Sequence, residues 1–413
     1  MTDKLRSNWR ADGTLRHIGT PRWLVDDMLQ TLMAAFEDAG HQIYAVGGCV
    51  RDTMMDRHVH DVDLSTDALP EDTIAIVESL KFKRSSWKAI PTGIEHGTIT
   101  AVDPVGAGPY EITTFRTDVE TDGRHATVAF SRNIEDDATR RDFTINAFYA
   151  NRQGEIRDLV GGSADLAARR IRFIGDPVDR IKEDYLRILR FFRFTASHGN
   201  QDDGVDADGL AACALLADGL TGISRERIGA EVTRIISNRD AAPIVGTMEQ
   251  SGVLGRILPG ASVLTLARLI DLEESYPIEG PMVAPNDMAT RLASLGCADV
   301  ADRLRLSSAA AKKIALVLRE AGSLTPAHAL AYRHDYWPAV HCLLLRWASL
   351  QQPFDETVLA DLERGASAKF PVQAADLMPE YTGKALGDRL QFLKETWIAS
   401  QFEMSKSALL ERP

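Results

Sequence analysis

The sequence predicts an α+β chain in which a mixed domain of strands and helices is followed by an all-helical remainder. Three observations carry this reading. Short apolar strand patterns and helical patterns alternate between about residues 21 and 150, and beyond about Gly162 the strand patterns stop while long helical ones continue. The 413 residues also exceed one hydrophobic core, since domains usually run roughly 100 to 200 residues, so two or three domains are expected.

In chain order, PRWLVDDMLQTLMAAFEDAG from Pro21 to about Gly40 repeats apolar residues at helical spacing and ends on a glycine stop. HQIYAVGG reads as a short strand running into two glycines, CVRDTMMD as a helix start, and HVHDVDLST as a second strand. PEDTIAIVESL is a helix opened by Pro70 and first-turn acids, and HGTITAVDP with PYEITTFR forms a hairpin. The loop NRQGEIRDLVGGS and the polar GNQDDGVDADG are candidate boundaries. DYLRILRFFRFTASH, SRERIGAEVTRIISN, AAAKKIALVLREAG and WPAVHCLLLRWASL then follow as helices, with Ser224 a natural N-cap.

Composition excludes several classes. Cys49, Cys213, Cys297 and Cys342 are far apart with no CxxC pair, which argues against a zinc knuckle or a disulfide framework and for a reducing cytoplasm. The polar N-terminus lacks a secretory apolar core, and no apolar run reaches the roughly 18 to 20 residues that span a bilayer, so no membrane association is expected. The net charge of -12 disfavours a polyanion bound over the whole surface, but arginines crowd into residues 124 to 193 and give one preferred face.

The densest polar stretch is YAVGGCVRDTMMDRHVHDVDLST. In an extended strand Asp61 and Asp63 share one face while His58 and His60 take the other, so the acids offer an oxygen pair suited to Mg²⁺. The same residues also read as an edge strand with solvated acids. In front of them, the turn at Gly47 and Gly48 opens a helix whose backbone N–H groups suit a phosphate, with Arg51 one turn on. Arg51 paired to Asp52 is the plainer alternative. A phosphate cradle and an acid pair roughly ten residues apart together describe a nucleotidyl-transfer site.

VGGCVRD followed by DVDL resembles the signature of the class II tRNA nucleotidyltransferase and bacterial poly(A) polymerase family. The likeness continues in order through TGIEHGT, EITTFR, RRDFTINAF and EDYLRILRFFRF, over about residues 40 to 240. It implies a polymerase-β-like nucleotidyltransferase head, a mixed sheet with helices, over 21–160. An extension at 1–20 precedes it, and an all-α neck at 161–240 and a helical body and tail at 241–413 follow. It also implies Mg²⁺ on Asp61 and Asp63, with Gly48, Arg51, Arg141 and Asp142 near triphosphate and sugar. A cap by Asp142 on the following helix is compatible with that role. Glu111 is a further candidate carboxylate beside an equally plain reading as an exposed strand acid, and Arg116 would support the segment TDVETDGRHATVAF.

Asp184, Arg187, Arg190 and Arg193 recur every third residue, which on one helix traces a drifting polar stripe and alone would read as helix salt bridges. The resemblance makes Asp184 and Arg187 the base reader, with Arg190 and Arg193 near the nucleotide. The chemistry agrees: cytosine and adenine both present an amino donor beside a ring-nitrogen acceptor, which an Asp acceptor next to an Arg donor complements. CTP and ATP are then the substrates, the tRNA 3′ acceptor end the partner, and no stable protein partner is expected. TGIEHGTITAV favours full CCA addition over A-only or poly(A) addition, the alternative within the family. A phosphohydrolase reading of His60-Asp61 or His334-Asp335 lacks the further ligands such a site requires.

Overall fold

The computed structural model describes residues 16–83, 85–106, 108–121, 126–200, 203–276 and 286–412. Most of the extension expected at 1–20, and the centre of the segment 117–130, lie outside them. The chain divides into two compact units, one holding residues to Ser224 with Ser251–Arg256, the other Arg225–Gln250 with Ile257 onward.

The first unit is built on eleven strands among its described residues: β1 Ile43–Val46, β2 Asp63–Thr66, β3 Lys81–Phe82, β4 Ser85–Ser86, β5 Lys88–Gly93, β6 Thr98–Val102, β7 Pro109–Thr114, β8 Arg116–Thr121, β9 Ala126–Phe130, β10 Phe148–Ala150 and β11 Ile156–Asp158. Seven form a mixed sheet in the order β11-β10-β1-β2-β7-β6-β5. Only β2 and β7 of these run parallel, and their register sets Asp63 beside Glu111. The expected hairpin is β6 with β7. The boundary candidate NRQGEIRDLVGGS instead supplies the edge strand β11.

Helices of this unit are α1 Asp27–Asp38, α2 Gly48–Met54, α3 Pro70–Ser79, α4 Ile134–Thr139, α5 Gly162–Ala168, α6 Pro177–Glu183, α7 Arg187–His198 and α8 Ala207–Leu215. The first is shorter than its apolar pattern suggests. Asp26 caps it by accepting from the N–H groups of Met28 and Leu29 at 2.9 and 3.2 Å, so the helical bonds begin there and Pro21 to Val25 form a turn. Its buried stripe of Met28, Leu29, Leu32, Met33 and Phe36 covers the sheet.

Two predicted elements start late. HVHDVDLST is extended only from Asp63; residues 57–62 are irregular, so strand alternation governs neither the histidines nor the expected shared face of Asp61 and Asp63. Asp184 lies outside the helix that carries the arginines, because α6 ends at Glu183 and Asp184 takes an extended conformation before α7 starts at Arg187. The four-residue polar stripe is therefore three arginines on a helix preceded by an acid in a turn.

Aromatic packing positions both ends of the site. Tyr44, Val46, Phe115, Ile134, Ala138 and Tyr149 form one buried cluster beneath α4. Phe143, Phe173, Phe191 and Phe194 form another, with ring centroids 4.9 Å (Phe143–Phe173), 5.5 Å (Phe173–Phe191) and 5.3 Å (Phe143–Phe194) apart, and it fastens α7 to the segment after α4. Each such ring removed from water contributes roughly 1.5–3 kcal/mol.

The second unit is helical, as its patterns predict, with Arg225–Ile236, Ser308–Ala321 and Tyr336–Leu350 among its helices. Among the described residues no strand follows Asp158. Its buried Arg291 donates to Glu273 at 2.9 and 2.6 Å and to the carbonyls of Ile236 and Asn238 at 2.9 and 2.6 Å. Among the described residues no helix is long and apolar enough to cross a membrane, and all four cysteines are free and buried.

Candidate active site

Strand β1 is buried along its length and ends at Gly47, whose φ of 73° and ψ of -117° suit a residue without a Cβ. That turn opens α2 with Gly48 in its first position. A Cβ on Gly47 would stand 3.5 Å from Nη1 of Arg141 and 3.4 Å from the carbonyl of Asn146, so the glycine turn and Arg141 face one another.

Arg141 is held from behind. Its Nη2 donates to Asp137 at 2.9 Å and its Nε to the Tyr149 hydroxyl at 3.0 Å, with the guanidinium over that ring. Asp137 is fully buried and also accepts from Arg140 at 2.8 and 2.6 Å, from Tyr149 at 2.7 Å and from Ser65 at 3.1 Å. Burial alone would raise the Asp137 carboxyl, but the two arginines and the Tyr149 hydroxyl hold it far below the carboxylate range. Burial likewise works against the Arg141 charge, and Asp137 with Tyr149 more than restores it. Sequence reading missed Asp137, although its i,i+3 and i,i+4 spacing to Arg140 and Arg141 on a helical segment was the available signal.

The carboxylates lie next to this cation, where the central strand β2 begins. Asp61 is exposed in the irregular segment, Asp63 is the first residue of β2, and Glu111 is its exposed neighbour on β7. The Asp63 carboxyl stays open to solvent, yet the protein around it displaces enough water to raise its pKa. Glu111 and, less strongly, Asp61 raise it further, while Arg141 lowers it. Asp63 with a second carboxylate beside it is a donor pair that suits a divalent cation, which relieves the repulsion between them. Among the described residues no three His, Cys, Asp or Glu are placed together to hold a metal ion. His58 and His60 lie elsewhere: their rings, 4.6 Å apart, line a cavity of about 610 Å³ with Trp23 and Tyr110.

Arg51 is buried and engaged. Its Nε and Nη2 each donate to Asp52 at 2.9 Å and its Nη1 donates to Asn146 at 2.5 Å, which is the plainer of the two sequence readings. Asp142 does not cap the next helix. Its Oδ1 accepts from the Phe143 N–H at 2.8 Å and from Asn146 at 3.0 Å, and its Oδ2 accepts from Arg190 at 2.8 and 2.5 Å. Burial is outweighed there by Arg190 and Asn146, and the carboxyl is held down to about 2.

Asp184 Oδ1 accepts from the Leu186 N–H at 3.0 Å, and its carbonyl accepts from the Arg187 N–H at 2.9 Å. The Arg187 guanidinium turns to Glu183 and to the carbonyl of Arg180 at 2.8 Å. The Arg193 guanidinium stacks 4.3 Å from the Phe194 ring centroid, and Arg116 donates to the carbonyl of His96. Glu183, at i,i+3 from Arg180 and i,i+4 from Arg187, carried the same helical signal as Asp137, whereas Asn146, which links Arg51 to Asp142, carries none.

The Poly A polymerase head domain matches residues 43–172, and the family described as "Probable RNA and SrmB- binding site of polymerase A" matches 205–264. The mitochondrial CCA tRNA nucleotidyltransferase 1 of Danio rerio is 32% identical over 408 residues, covering 94% of this chain and 90% of its own. The CCA-adding enzyme of Lactobacillus helveticus is 47% identical over 171 residues, 41% of this chain and 39% of its own. Among solved structures, the Bacillus stearothermophilus CCA-adding enzyme in complex with CTP shares the fold, with a TM-score of 0.70 at 24% identity over 93% of this chain and 96% of its own. A glycine turn facing a held arginine, beside an acid pair, in a chain this similar to such enzymes over nearly its whole length, places the protein in the tRNA nucleotidyltransferase and poly(A) polymerase family of nucleotidyltransferases.

Proposed function

We propose that this enzyme adds C, C and A in turn to the 3′ end of tRNA, taking CTP and ATP and releasing pyrophosphate. The observation that carries the reading is the meeting of the Gly47 turn, Arg141 and the Asp63–Glu111 pair in one place. The likeness over nearly the whole chain to enzymes named for CCA addition supports it over A-only or poly(A) addition.

In this reading Asp61 and Asp63 hold Mg²⁺, with Glu111 beside them. When bound, the metal supplies Lewis-acid charge for the attacking hydroxyl and the leaving pyrophosphate. The chain's own groups do the rest. Gly48 and the N–H groups opening α2 receive the triphosphate with Arg51, while Arg141, kept charged by Asp137, neutralises it from the opposite side. Asp142 with Arg190 stands near the sugar, and Asp184, Arg187 and Arg193 around the start and face of α7 select the base. The tRNA 3′-hydroxyl attacks the α-phosphate. We divide the work as head 21–160, neck 161–240, and body and tail 241–413 holding the acceptor arm. The free, buried cysteines fit a reducing compartment, and we place the enzyme in the cytoplasm.

Purified protein is to be incubated with tRNA lacking CCA and with single labelled nucleotides. Growth that stops after C, C and A is expected, and an unlimited A tract would establish the poly(A) alternative instead. GTP or UTP incorporated as readily as CTP would sink base selection by the chain. Asp63→Ala is expected to lose at least about 100-fold in rate, the scale of removing a group that holds a catalytic metal.

A further inference from the structure

The hydrogen bonds around Arg51 close into a ring. In one direction Arg51 donates to Asn146 at 2.5 Å, Asn146 donates to Asp142 at 3.0 Å, and Asp142 accepts from Arg190 of α7 at 2.8 and 2.5 Å. In the other direction Arg51 holds both oxygens of Asp52 at 2.9 Å, and Asp52 Oδ1 lies 3.1 Å from Nε2 of His198, the last residue of α7. The Phe194 ring fills the space between, with the guanidinium carbons of Arg51 and Arg190 at 5.2 and 5.5 Å from its centroid and the His198 ring at 5.5 Å. Arg190 and His198 are eight residues apart, roughly 12 Å along a helix, so α7 is tied to α2 at two well-separated points.

The chemistry of His198 suits a fixed strut. A carboxylate only accepts, so Nε2 carries the hydrogen, and in the neutral ring Nδ1 is left as the acceptor, with the Ser197 hydroxyl 2.6 Å away. Burial outweighs the Asp52 carboxylate and holds the imidazole down to about 4, which keeps it neutral at pH 7. Asp52 in turn aligns the Arg51 guanidinium through two parallel bonds, a geometry that fixes its plane.

We propose that His198 is a positioning residue for nucleotide binding: acting through Asp52 on Arg51, it couples the helix that reads the base to the turn that receives the triphosphate. The inference rests on the nucleotidyl-transfer reading above. A base seated against α7 is thereby felt at the phosphate end, because neither helix moves without the other.

Steady-state kinetics with tRNA lacking CCA and CTP, and with tRNA ending in CC and ATP, tests the coupling. His198→Leu is expected to raise the nucleotide KM about ten-fold with kcat changed less than about three-fold, and to increase incorporation of UTP and GTP. His198→Gln, which presents an amide N–H over a similar reach, is expected to recover most of the loss. Asp52→Asn, nearly isosteric, is expected to reproduce His198→Leu, and carries the test should that variant not fold. Leu32→Ala, a cavity on α1 away from the ring, is the control for stability and should leave KM in place. Unchanged KM and base preference in His198→Leu or Asp52→Asn, or the same rise in Leu32→Ala, would overturn the coupling. An inactive wild-type chain overturns the reaction itself, whereas an active wild type with indifferent variants overturns only this inference.

Discussion

At the residue scale the site depends on one backbone conformation and one held charge. Gly47 sits at a φ that other residues adopt only with strain, and its neighbour across the turn is Arg141. Gly47→Ala is expected to cost on the order of 1–3 kcal/mol in chemical denaturation and to weaken CTP and ATP binding in calorimetric titration, because relieving the strain moves the N–H groups of α2. A variant with wild-type stability and affinity would show that the turn is ordinary. Asp137 illustrates the opposite kind of residue. It touches no expected substrate position, yet three side chains of the site, Arg140, Arg141 and Tyr149, converge on it.

At the element scale the question is how the turn between α6 and α7 keeps its shape. Asp184 and Arg187 flank it, and Tyr185 lies between them. A Cβ on Gly219, in the 3-10 turn Ala217–Gly222, would fall 1.9 Å from the Tyr185 ring, so the ring packs directly onto the glycine backbone. Gly219→Ala is therefore expected to push Tyr185 out and displace Asp184, lowering the CTP-over-UTP preference by about ten-fold while tRNA binding holds. Competition between labelled CTP and UTP, with a gel-shift measurement on tRNA, reads both quantities; retained preference would mean that the ring relocates without moving the turn. The helices themselves were legible, because α7 and the helices Arg225–Ile236, Ser308–Ala321 and Tyr336–Leu350 carry long apolar periodicity. Helix Arg225–Ile236 begins directly after Ser224, the cap expected there, but the starts of α1 and α7 were not legible. Asp26 delays the start of α1 by capping it, and the extended Asp184 breaks a sequence pattern that runs on unbroken.

At the scale of the whole molecule, buried ionisable groups set the response to acid. His198 has a folded pKa near 4 against an ordinary 6.5, so the unfolded chain takes up a proton first as pH falls and stability declines between about 6.5 and 4. Asp52 and Asp142, each held to about 2 against an ordinary 3.8, add stability above about 4 that is lost as pH falls through 2. All three act with one sign. Melting followed by circular dichroism is expected to show falling stability from pH 7 to 4, with on the order of 3 kcal/mol assigned to His198, and His198→Gln should flatten that part of the curve alone. An equally steep curve in that variant would place the titration elsewhere. The sequence by itself determined the α+β class, the glycine turn and the arginine-rich helix, since these rest on local periodicity and on residue types whose chemistry is intrinsic; it supplied both acids but not the irregular backbone at Asp61. Tertiary structure alone decided which groups meet: Glu111 beside Asp63 through a parallel register, Arg141 over Gly47, Asp142 against Arg190 and His198 against Asp52. These contacts join positions far apart in the chain, and what brings them together is the packing of the sheet and of the phenylalanine cluster, which no local pattern encodes.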